Sequence, residues 1–236
     1  MHHKIRLNHY LSNAGISSRR KADQLIQSGA IEVNGKPVCK LGTVIHLNDV
    51  VKFHGSKVKL KNKIYILLNK PKGFISSTRD QFNRKTVMNL IPSFSKYRIF
   101  PVGRLDYSTT GIMLLTNDGY IAEKLTHPKY HVKKIYHVSL NKKIKNEDLH
   151  KIRTEKIHLK EGKVKVMFVN KKNSENQVEI GLFIGWNRVI KRMFKKLNYQ
   201  VIRLDRVNFA GLSKKNLPIG NWCFLNKREI ENITKY

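Results

Sequence analysis

The spacing of apolar residues near the N-terminus predicts two short helices and a small sheet. Apolar side chains recur three and four residues apart over residues 7–14 and again over residues 18–28, which is the period of an amphipathic helix. Gly15 and Gly29 follow these two segments, and glycine is the usual residue at the end of a helix. Asn34-Gly35 then separates two short β-forming segments, a combination that favours a hairpin with a type I′ turn.

Beyond residue 63 the pattern changes to longer strands interspersed with helices. Residues 64–68 are almost entirely apolar, which predicts a strand covered on both faces. Residues 134–140 and 201–209 alternate between apolar and polar positions, which predicts strands with one buried face. Further strands are predicted at residues 74–78, 99–102, 112–115, 157–159, 163–169, 177–184 and 221–225, and helices at residues 87–91, 120–126, 146–153, 188–197 (capped by Asn187) and after Asn226.

These elements indicate an α+β protein with two domains. Residues 1–53 are predicted to form a small domain and residues 64–236 a larger one. The lysine-rich segment 54–63 alternates only weakly, and it is predicted to link the two domains. A hydrophobic content of 40% is sufficient for a core in each domain.

Residues 101–119 carry the most prominent candidate for chemistry, which is Asp106. It is predicted to lie in a turn ahead of the strand 112–115, and it is the only acidic residue between Gln81 and Asn117. Because several arginines and lysines share this interval, the carboxylate is expected to be ionised at neutral pH. An ionised carboxylate can act as a nucleophile or as a proton acceptor. The alternative is an aspartate that caps the following turn or pairs with Arg104.

The charge of the chain indicates a polyanionic partner. Its 47 lysines and arginines against 16 acidic residues give a formal net charge of +31. Nucleic acid is the commonest partner of such a chain, because bound counterions are released on association. Compositional bias toward lysine also contributes, but it does not explain the small number of acidic residues.

A cluster of cations at the predicted start of the second helix supports an interaction with phosphate. Arg19, Arg20 and Lys21 occupy the first turn, where the helix dipole disfavours positive charge. An RNA phosphate would offset that effect, so these three residues are predicted to bind RNA. The alternative is a basic face exposed to solvent.

Neither a membrane segment nor a metal site is predicted. No apolar run approaches the length needed to cross a bilayer, and no signal peptide is evident. Cys39 and Cys223 are far apart, which is compatible with a reducing, cytoplasmic location. His127 and His131 are four residues apart, but Pro128 interrupts a helix there and no third ligand is evident.

Several ordered motifs resemble the RsuA/RluB/RluF-type pseudouridine synthases with an N-terminal S4 RNA-binding domain. The S4-like segment runs from about residue 6 to residue 53. The catalytic-domain motifs follow in the family's order: Leu68-Asn-Lys-Pro-Lys-Gly73, Gly103-Arg-Leu-Asp106 with Thr110-Gly111, Leu114-Leu-Thr-Asn-Asp-Gly119, Lys134-Ile-Tyr136 and Gly185-Trp-Asn-Arg-Val-Ile-Lys-Arg-Met-Phe194. The resemblance implies a small S4 (αL-type) domain, followed by a synthase domain with a mixed, largely antiparallel central sheet and flanking helices.

The resemblance also implies an activity and roles for individual residues. These enzymes isomerise uridine in ribosomal RNA, and the family leans toward 23S over 16S RNA. Asp106 matches the catalytic nucleophile, Tyr136 the tyrosine that stacks on uracil, and Lys191 the cation that pairs with the aspartate. Arg104 is expected to fill the gap left by a flipped base. Arg188 and Arg192, on the basic face of the predicted helix 188–197, are also predicted to bind RNA.

No cofactor or metal is expected, because the reaction redistributes bonds within one nucleotide. Ile184 and Val189 stand where the family more often has Glu and Gln, which affects only the expected RNA contacts.

The partner is expected to be ribosomal RNA or a pre-ribosomal subunit, bound by a monomer. A non-catalytic RNA-binding ribosome-assembly factor that keeps the synthase fold is the alternative. A nuclease would normally need a second acid, a histidine pair or a metal cluster near Asp106.

Overall fold

The computed structural model describes residues 4–94, 97–214 and 216–236, and the chain divides into two compact units. The first unit spans residues 1–63 and the second spans residues 64–236. No helix in the described part of the chain has the length and apolar character needed to cross a membrane.

The first unit consists of two helices packed on short strands. Its described elements are β1 (Lys4–Arg6), α1 (Leu7–Asn13), α2 (Arg19–Gln27), β2 (Ile31–Val33), β3 (Lys36–Pro37), β4 (Val44–His46), β5 (Val51–Phe53) and β6 (Ser56–Lys57). Strands β3, β2, β5 and β6 form one antiparallel sheet, and β1 pairs with β4. Asn34 and Gly35 both have positive φ angles, of 51° and 78°, so the predicted type I′ turn is confirmed.

The segment predicted to link the domains contributes in part to the first unit. Strand β6 pairs with β5, and Val58 is buried in the core of this unit. The Tyr10 hydroxyl donates a hydrogen bond to the Val58 carbonyl over 3.1 Å. The first residues of the segment 54–63 therefore belong to a hairpin, because Val58 supplies apolar surface that the lysine-rich pattern concealed.

The second unit is built on a large sheet. Its described strands are β7 (Tyr65–Lys70), β8 (Phe100–Pro101), β9 (Thr110–Thr116), β10 (Lys134–Leu140), β11 (His158–Leu159), β12 (Gly162–Lys163), β13 (Phe168–Lys171), β14 (Gln177–Leu182), β15 (Val201–Phe209), β16 (Leu212–Ser213) and β17 (Trp222–Phe224). Its described α-helices are α3 (Gly119–Thr126), α4 (Asn146–Arg153), α5 (Val189–Lys196) and α6 (Lys227–Thr234), and its 3-10 helices are Val87–Leu90, Pro92–Phe94 and Pro128–Tyr130.

The sheet of the second unit is mixed and largely antiparallel, as predicted. The strand order is β13-β14-β10-β15-β9-β7-β17, with β16 beside β15 and β8 beside β9. Among the described strands, the pairing of β15 with β9 is parallel and the other pairings in this sheet are antiparallel. The α+β class inferred from the sequence is therefore confirmed.

Helices cover both faces of the sheet. On β7, Leu68 packs in one core cluster with the 3-10 helix Val87–Leu90, while Leu67 packs in another with α3 and α6. The prediction that this strand is covered on both faces is confirmed. A third cluster joins β10, β13 and β14 to α4 and α5.

Three local predictions are wrong. Residues 163–169 do not form one strand, because residues 164–167 lie between β12 and β13. Residues 74–78 form a loop with a single bridge from Ile75 to Thr86, because the Ser76 hydroxyl is bonded to the backbone of a distant turn. Asn187 does not cap α5. Arg188 precedes that helix in a left-handed conformation, with φ 49° and no side-chain cap.

The parallel pairing requires a glycine at position 111. Gly111 faces Arg206 with a φ of +115°, and a Cβ atom built on Gly111 would lie 2.3 Å from the Arg206 carbonyl oxygen. Contacts this short force the backbone apart, and this φ is one that L-residues rarely adopt.

We predict that Gly111→Ala lowers the free energy of unfolding of the second unit by about 3 kcal/mol, since the Cβ atom separates the two central strands. Urea titration followed by tryptophan fluorescence measures this, because both tryptophans, Trp186 and Trp222, lie in the second unit. Gly211→Ala is the control, since Gly211 also has a positive φ but open space around it. Equal effects of the two substitutions would contradict the steric explanation.

Candidate active site

Asp106 lies in the turn between β8 and β9, and this turn is fixed by hydrogen bonds on both sides. The Ser76 hydroxyl donates to the Leu105 carbonyl over 2.8 Å and accepts from the Leu105 amide over 3.0 Å. The Thr109 amide donates to the Asp106 carbonyl over 3.0 Å. The backbone of the aspartate therefore has a defined position before any ligand binds.

A buried lysine supports this turn from below. Lys70, the last residue of β7, is 0% exposed. Its ammonium group donates to the carbonyl oxygens of Pro71, Asp106 and Thr109 at 3.0, 3.2 and 2.9 Å. Burial lowers the pKa of Lys70 to about 8, although the charge of Asp106 acts in the opposite direction. Buried charge is tolerated here because three carbonyl groups surround it.

Lys191 brings a second cation to the carboxylate. Its Nζ lies 3.2 Å from Asp106 Oδ2, and it donates a hydrogen bond to the Ser108 hydroxyl over 2.7 Å. Helix α5 presents Lys191 beside the turn because Ile190, Met193 and Phe194 bury the opposite face of the helix. The amphipathic pattern of α5 thus determines where this cation lies.

Four residues of the site share one row across the sheet. Tyr136 on β10 is paired with Arg206 on β15, Arg206 with Gly111 on β9, and Gly111 with Lys70 on β7. We call these four residues the central row. Residues paired across adjacent strands point to the same face of a sheet. Tyr136 and Arg206 line the cavity beside Asp106, while Lys70 lies under the Asp106 turn.

Arg206 forms the floor of the site and is 2% exposed. Its Nε donates to the Ile112 carbonyl over 2.8 Å, and its guanidinium carbon lies 4.6 Å from the centre of the Phe209 ring. Burial lowers the pKa of Arg206, and the neighbouring Tyr136 side chain partly opposes this. The Nη2 atom is buried and has no hydrogen-bond partner among the described residues.

A cavity of about 170 Å³ opens beside Asp106. Its walls are of mixed character, with Tyr136 and several cations among apolar side chains. The cations are Arg104, Lys134, Arg188 and Arg206, and the apolar lining includes Leu125, Ile184, Trp186, Val189, Leu204 and Phe209. A cavity with these walls can bind a ligand that carries a flat, partly polar ring, and the ring would lie next to the Asp106 carboxylate.

Lys134 adds a further, partly buried cation to the wall of this cavity. Its ammonium group donates to the carbonyl oxygens of Val132 and Phe183 at 3.0 and 2.9 Å. Burial lowers the pKa of Lys134 to about 8, and the charge of Arg206 lowers it further. The surroundings of Asp106 are therefore strongly electropositive.

The residues predicted to bind RNA are distributed over different environments. Arg104 and Arg188 are exposed and line the cavity, whereas the Arg192 guanidinium forms two hydrogen bonds of 2.9 and 2.7 Å with Glu161. Those bonds raise the pKa of Arg192 and lower that of Glu161. Arg192 is thus engaged within the protein, and an RNA contact would have to compete with this ion pair.

In the first unit, Ser18 caps α2 by accepting a hydrogen bond from the Lys21 amide over 3.1 Å. The predicted cation cluster of Arg19, Arg20 and Lys21 is exposed in the first turn of this helix. The positions of these side chains on an open surface suit an extended polyanion.

Sequence reasoning did not identify Lys70, Lys134 and Arg206 as part of the site. The available signal was a charged residue that ends or interrupts an otherwise apolar strand, as Lys70 does after residues 64–68. A charge at such a position is buried and needs partners. The partners lie 36 and 39 residues away, at Asp106 and Thr109, so the strand alone could not reveal them.

Comparison with known proteins identifies the class. A family model described as RNA pseudouridylate synthase matches residues 64–204, and an S4 domain model matches residues 5–51. The chain therefore belongs to the RNA pseudouridylate synthase family of isomerases, with an N-terminal S4 domain.

Curated relatives and a solved structure agree with this assignment. The chain is 38% identical over 233 residues to the ribosomal large subunit pseudouridine synthase B of Bacillus subtilis, covering 97% of this chain and 95% of that protein. It is 33% identical to the dual-specificity RNA pseudouridine synthase RluF of Escherichia coli, covering 98% and 79%. A crystal structure of a pseudouridylate synthase superimposes with a TM-score of 0.70 and 26% identity, covering 97% and 99%.

The lowered pKa of Lys70 predicts a pH-dependent contribution to stability. Between pH 8 and about 10.5 the unfolded chain retains the Lys70 proton while the folded protein loses it, so the contribution of Lys70 to stability rises with pH. The free energy of unfolding of the wild type minus that of Lys70→Met should rise over this range, by up to about 1.4 kcal/mol per pH unit. Urea titrations at four pH values between 7 and 10 measure this. A difference that does not vary with pH would contradict a lowered pKa.

Proposed function

We propose that this protein isomerises a specific uridine of ribosomal RNA to pseudouridine, with Asp106 as the nucleophile and the target base flipped out of its stack. The observation that carries the proposal is the Asp106 carboxylate, held 3.2 Å from Lys191 Nζ at the edge of a cavity with mixed polar and apolar walls. A carboxylate in this setting is oriented and partly shielded from water, as a nucleophile requires.

The proposed reaction changes only the connections within one nucleotide. Asp106 attacks either the ribose C1′ or the uracil ring, and the bond between C1′ and N1 breaks. The uracil rotates, a bond forms between C1′ and C5, and the proton on C5 is lost to a base and replaced by one on N1. Asp106 is then released, so the atoms of the substrate and the product are the same.

Tyr136 and Lys191 have distinct proposed roles in this reaction. Tyr136 stacks on the uracil and assists in removing the C5 proton. Lys191 orients the carboxylate through the contact at 3.2 Å. Arg206 supports Tyr136 from the neighbouring strand, where the two residues are paired.

RNA recognition is proposed to involve both units. Arg104 and Arg188 at the cavity contact the backbone around the flipped nucleotide, with Arg104 filling the space that the base leaves. Flipping costs a few kcal/mol and is easiest in loops and distorted helices, so an RNA loop or junction is the proposed target. Arg19, Arg20 and Lys21 of the S4 domain contact phosphates elsewhere on the RNA, and such contacts position RNA without reading its sequence.

The preferred substrate is proposed to be large-subunit RNA. The Bacillus subtilis relative is named a large-subunit enzyme and spans nearly the same length, whereas the Escherichia coli relative is named a dual-specificity enzyme. We further propose that the protein acts in the cytoplasm as a monomer, on ribosomal RNA or a pre-ribosomal subunit. In this proposal the last part of the segment 54–63 links the S4 domain to the catalytic domain (residues 64–236), since the first part of that segment pairs with the S4 domain.

The proposal is tested by mapping pseudouridine in ribosomal RNA transcripts of both subunits after incubation with the purified protein. Carbodiimide-blocked primer extension should show a new stop at one uridine of the large-subunit transcript, without added cofactor. Asp106→Ala and Asp106→Asn should lower the rate by about a thousandfold or more, because the nucleophile is absent.

Binding without modification on transcripts and on partly assembled subunits would favour the assembly-factor alternative over the enzyme. A stop in the small-subunit transcript alone would contradict the preference for large-subunit RNA while supporting the reaction.

Loss of the cation at Lys191 should slow the reaction without abolishing RNA binding. We expect Lys191→Met to lower kcat by about 100- to 1000-fold, since the carboxylate loses the group that orients it. Single-turnover rates and filter binding on the same transcript separate the two effects. Lys195→Met removes an equal charge from the exposed face of the same helix and serves as the control. A similar rate loss in both variants would point to general electrostatics rather than to Lys191 itself.

A further inference from the structure

The loop at residues 76–85 presents an exposed aromatic ring that the reaction proposed above does not use. Phe82 is 66% exposed. The charged residues of the same loop are Arg79, Asp80, Arg84 and Lys85. Single exposed apolar side chains are common on proteins. This one differs because the surrounding loop holds it in a defined conformation.

Asp80 organises the loop through one carboxylate. Its Oδ2 accepts hydrogen bonds from the backbone amides of Phe82 and Arg84 and from Arg84 Nε, each over 3.0 Å. Its Oδ1 accepts from Arg84 Nη2 over 2.8 Å. The hydrogen bonds with Arg84 lower the pKa of Asp80 to about 2, so the loop keeps these contacts across the physiological range.

The same arrangement places a cation over the ring. The guanidinium carbon of Arg84 lies 4.9 Å from the centre of the Phe82 ring, which is within the range of a cation–π contact. The ring and the guanidinium together form a preordered surface of aromatic and positive character. Surfaces of this kind bind unpaired bases by stacking, with little preference for sequence.

The loop is anchored to the Asp106 turn at its start. The Ser76 hydroxyl is bonded to the backbone of Leu105, immediately before Asp106. Phe82 and Arg84 therefore form a surface on a loop that is attached beside Asp106, and we call these two residues the aromatic platform.

We propose that the aromatic platform binds an unpaired nucleotide that flanks the target uridine, with the neighbouring base stacked on Phe82. A base that is flipped into the cavity leaves its neighbours partly unstacked, and a preordered ring nearby would compensate for that loss. The cations Arg79, Arg84 and Lys85 outnumber Asp80, whose carboxylate is engaged within the loop. That charge favours a nucleic acid over a protein as the occupant. The proposal rests on the proposed function, since it assumes that the substrate is RNA.

The test measures binding of a ribosomal RNA fragment in the Asp106→Asn background, so that turnover does not interfere. Phe82→Ala should weaken binding by about 5- to 100-fold, which is the range expected for loss of one stacked base. Phe82→Trp should restore wild-type affinity, whereas Phe82→Leu should not, because leucine is apolar without a stacking face. Phe224→Ala removes a phenylalanine of 56% exposure from β17 and should leave binding unchanged. Tryptophan fluorescence confirms that each variant without a new tryptophan is folded.

A double-mutant cycle with the RNA identifies the stacked nucleotide. Each unpaired nucleotide of the fragment is replaced in turn by an abasic one. At one position the replacement should weaken binding to the Phe82 protein and have no further effect on the Phe82→Ala protein. Unchanged affinity of Phe82→Ala, equal losses with Phe82→Ala and Phe224→Ala, or additive effects at every position would overturn the proposal. Failure of the proposed function is seen separately, as wild-type protein that binds RNA without modifying it.

Discussion

The parallel contact between β9 and β15 at Gly111 and Arg206 is the constraint on which the rest of the site depends. Strand β9 follows directly from the Asp106 turn, and β15 follows from α5, which carries Lys191. Strand β15 is also the neighbour of β10, which carries Tyr136. Removing this one contact would separate the carboxylate from both of its partners, although each residue would keep its local structure. A glycine is needed at this point because any side chain would meet the Arg206 backbone.

Much of the architecture followed from the pattern of residues, and the reasons differ between elements. Strand β10 and helix α5 were predicted because alternation and helical spacing mark their buried faces over seven and eight residues. The Asn34-Gly35 turn was predicted because few residue pairs adopt two positive φ angles. In contrast, the β-forming residues at 74–78 predict a strand where the structure has a loop, because nothing in the segment indicates that Ser76 bonds to Leu105. Strand propensity depends only on the residues of a segment, whereas the bond between Ser76 and Leu105 forms only when distant parts of the chain come together.

In the candidate site, too, some residues could be predicted from the sequence and others only from the folded chain. Asp106, Tyr136 and Lys191 were found through motifs, and the structure brings Asp106 and Lys191 together and lines one cavity with Asp106 and Tyr136. The supporting cations were not found, because their burial is visible only when the strands are paired. Lys70 has the sequence of an ordinary strand end, yet it is the donor that ties together three carbonyl groups under the turn. Residues that support a site from within the sheet are therefore harder to predict than residues that touch the ligand.

The wide spacing of the central-row residues along the chain also affects when the site can form during synthesis. Gly111 is 95 residues and Lys70 is 136 residues from Arg206 along the chain. Contacts of such long range form slowly, because a large loop must close first. During synthesis, Asp106 leaves the ribosome long before Arg206, which completes the row. The nascent polypeptide thus carries Asp106 for part of translation without the strand that completes the cavity beside it. A product that terminates between β9 and β15 would contain the S4 domain and Asp106, but it would lack Arg206 and therefore the complete central row.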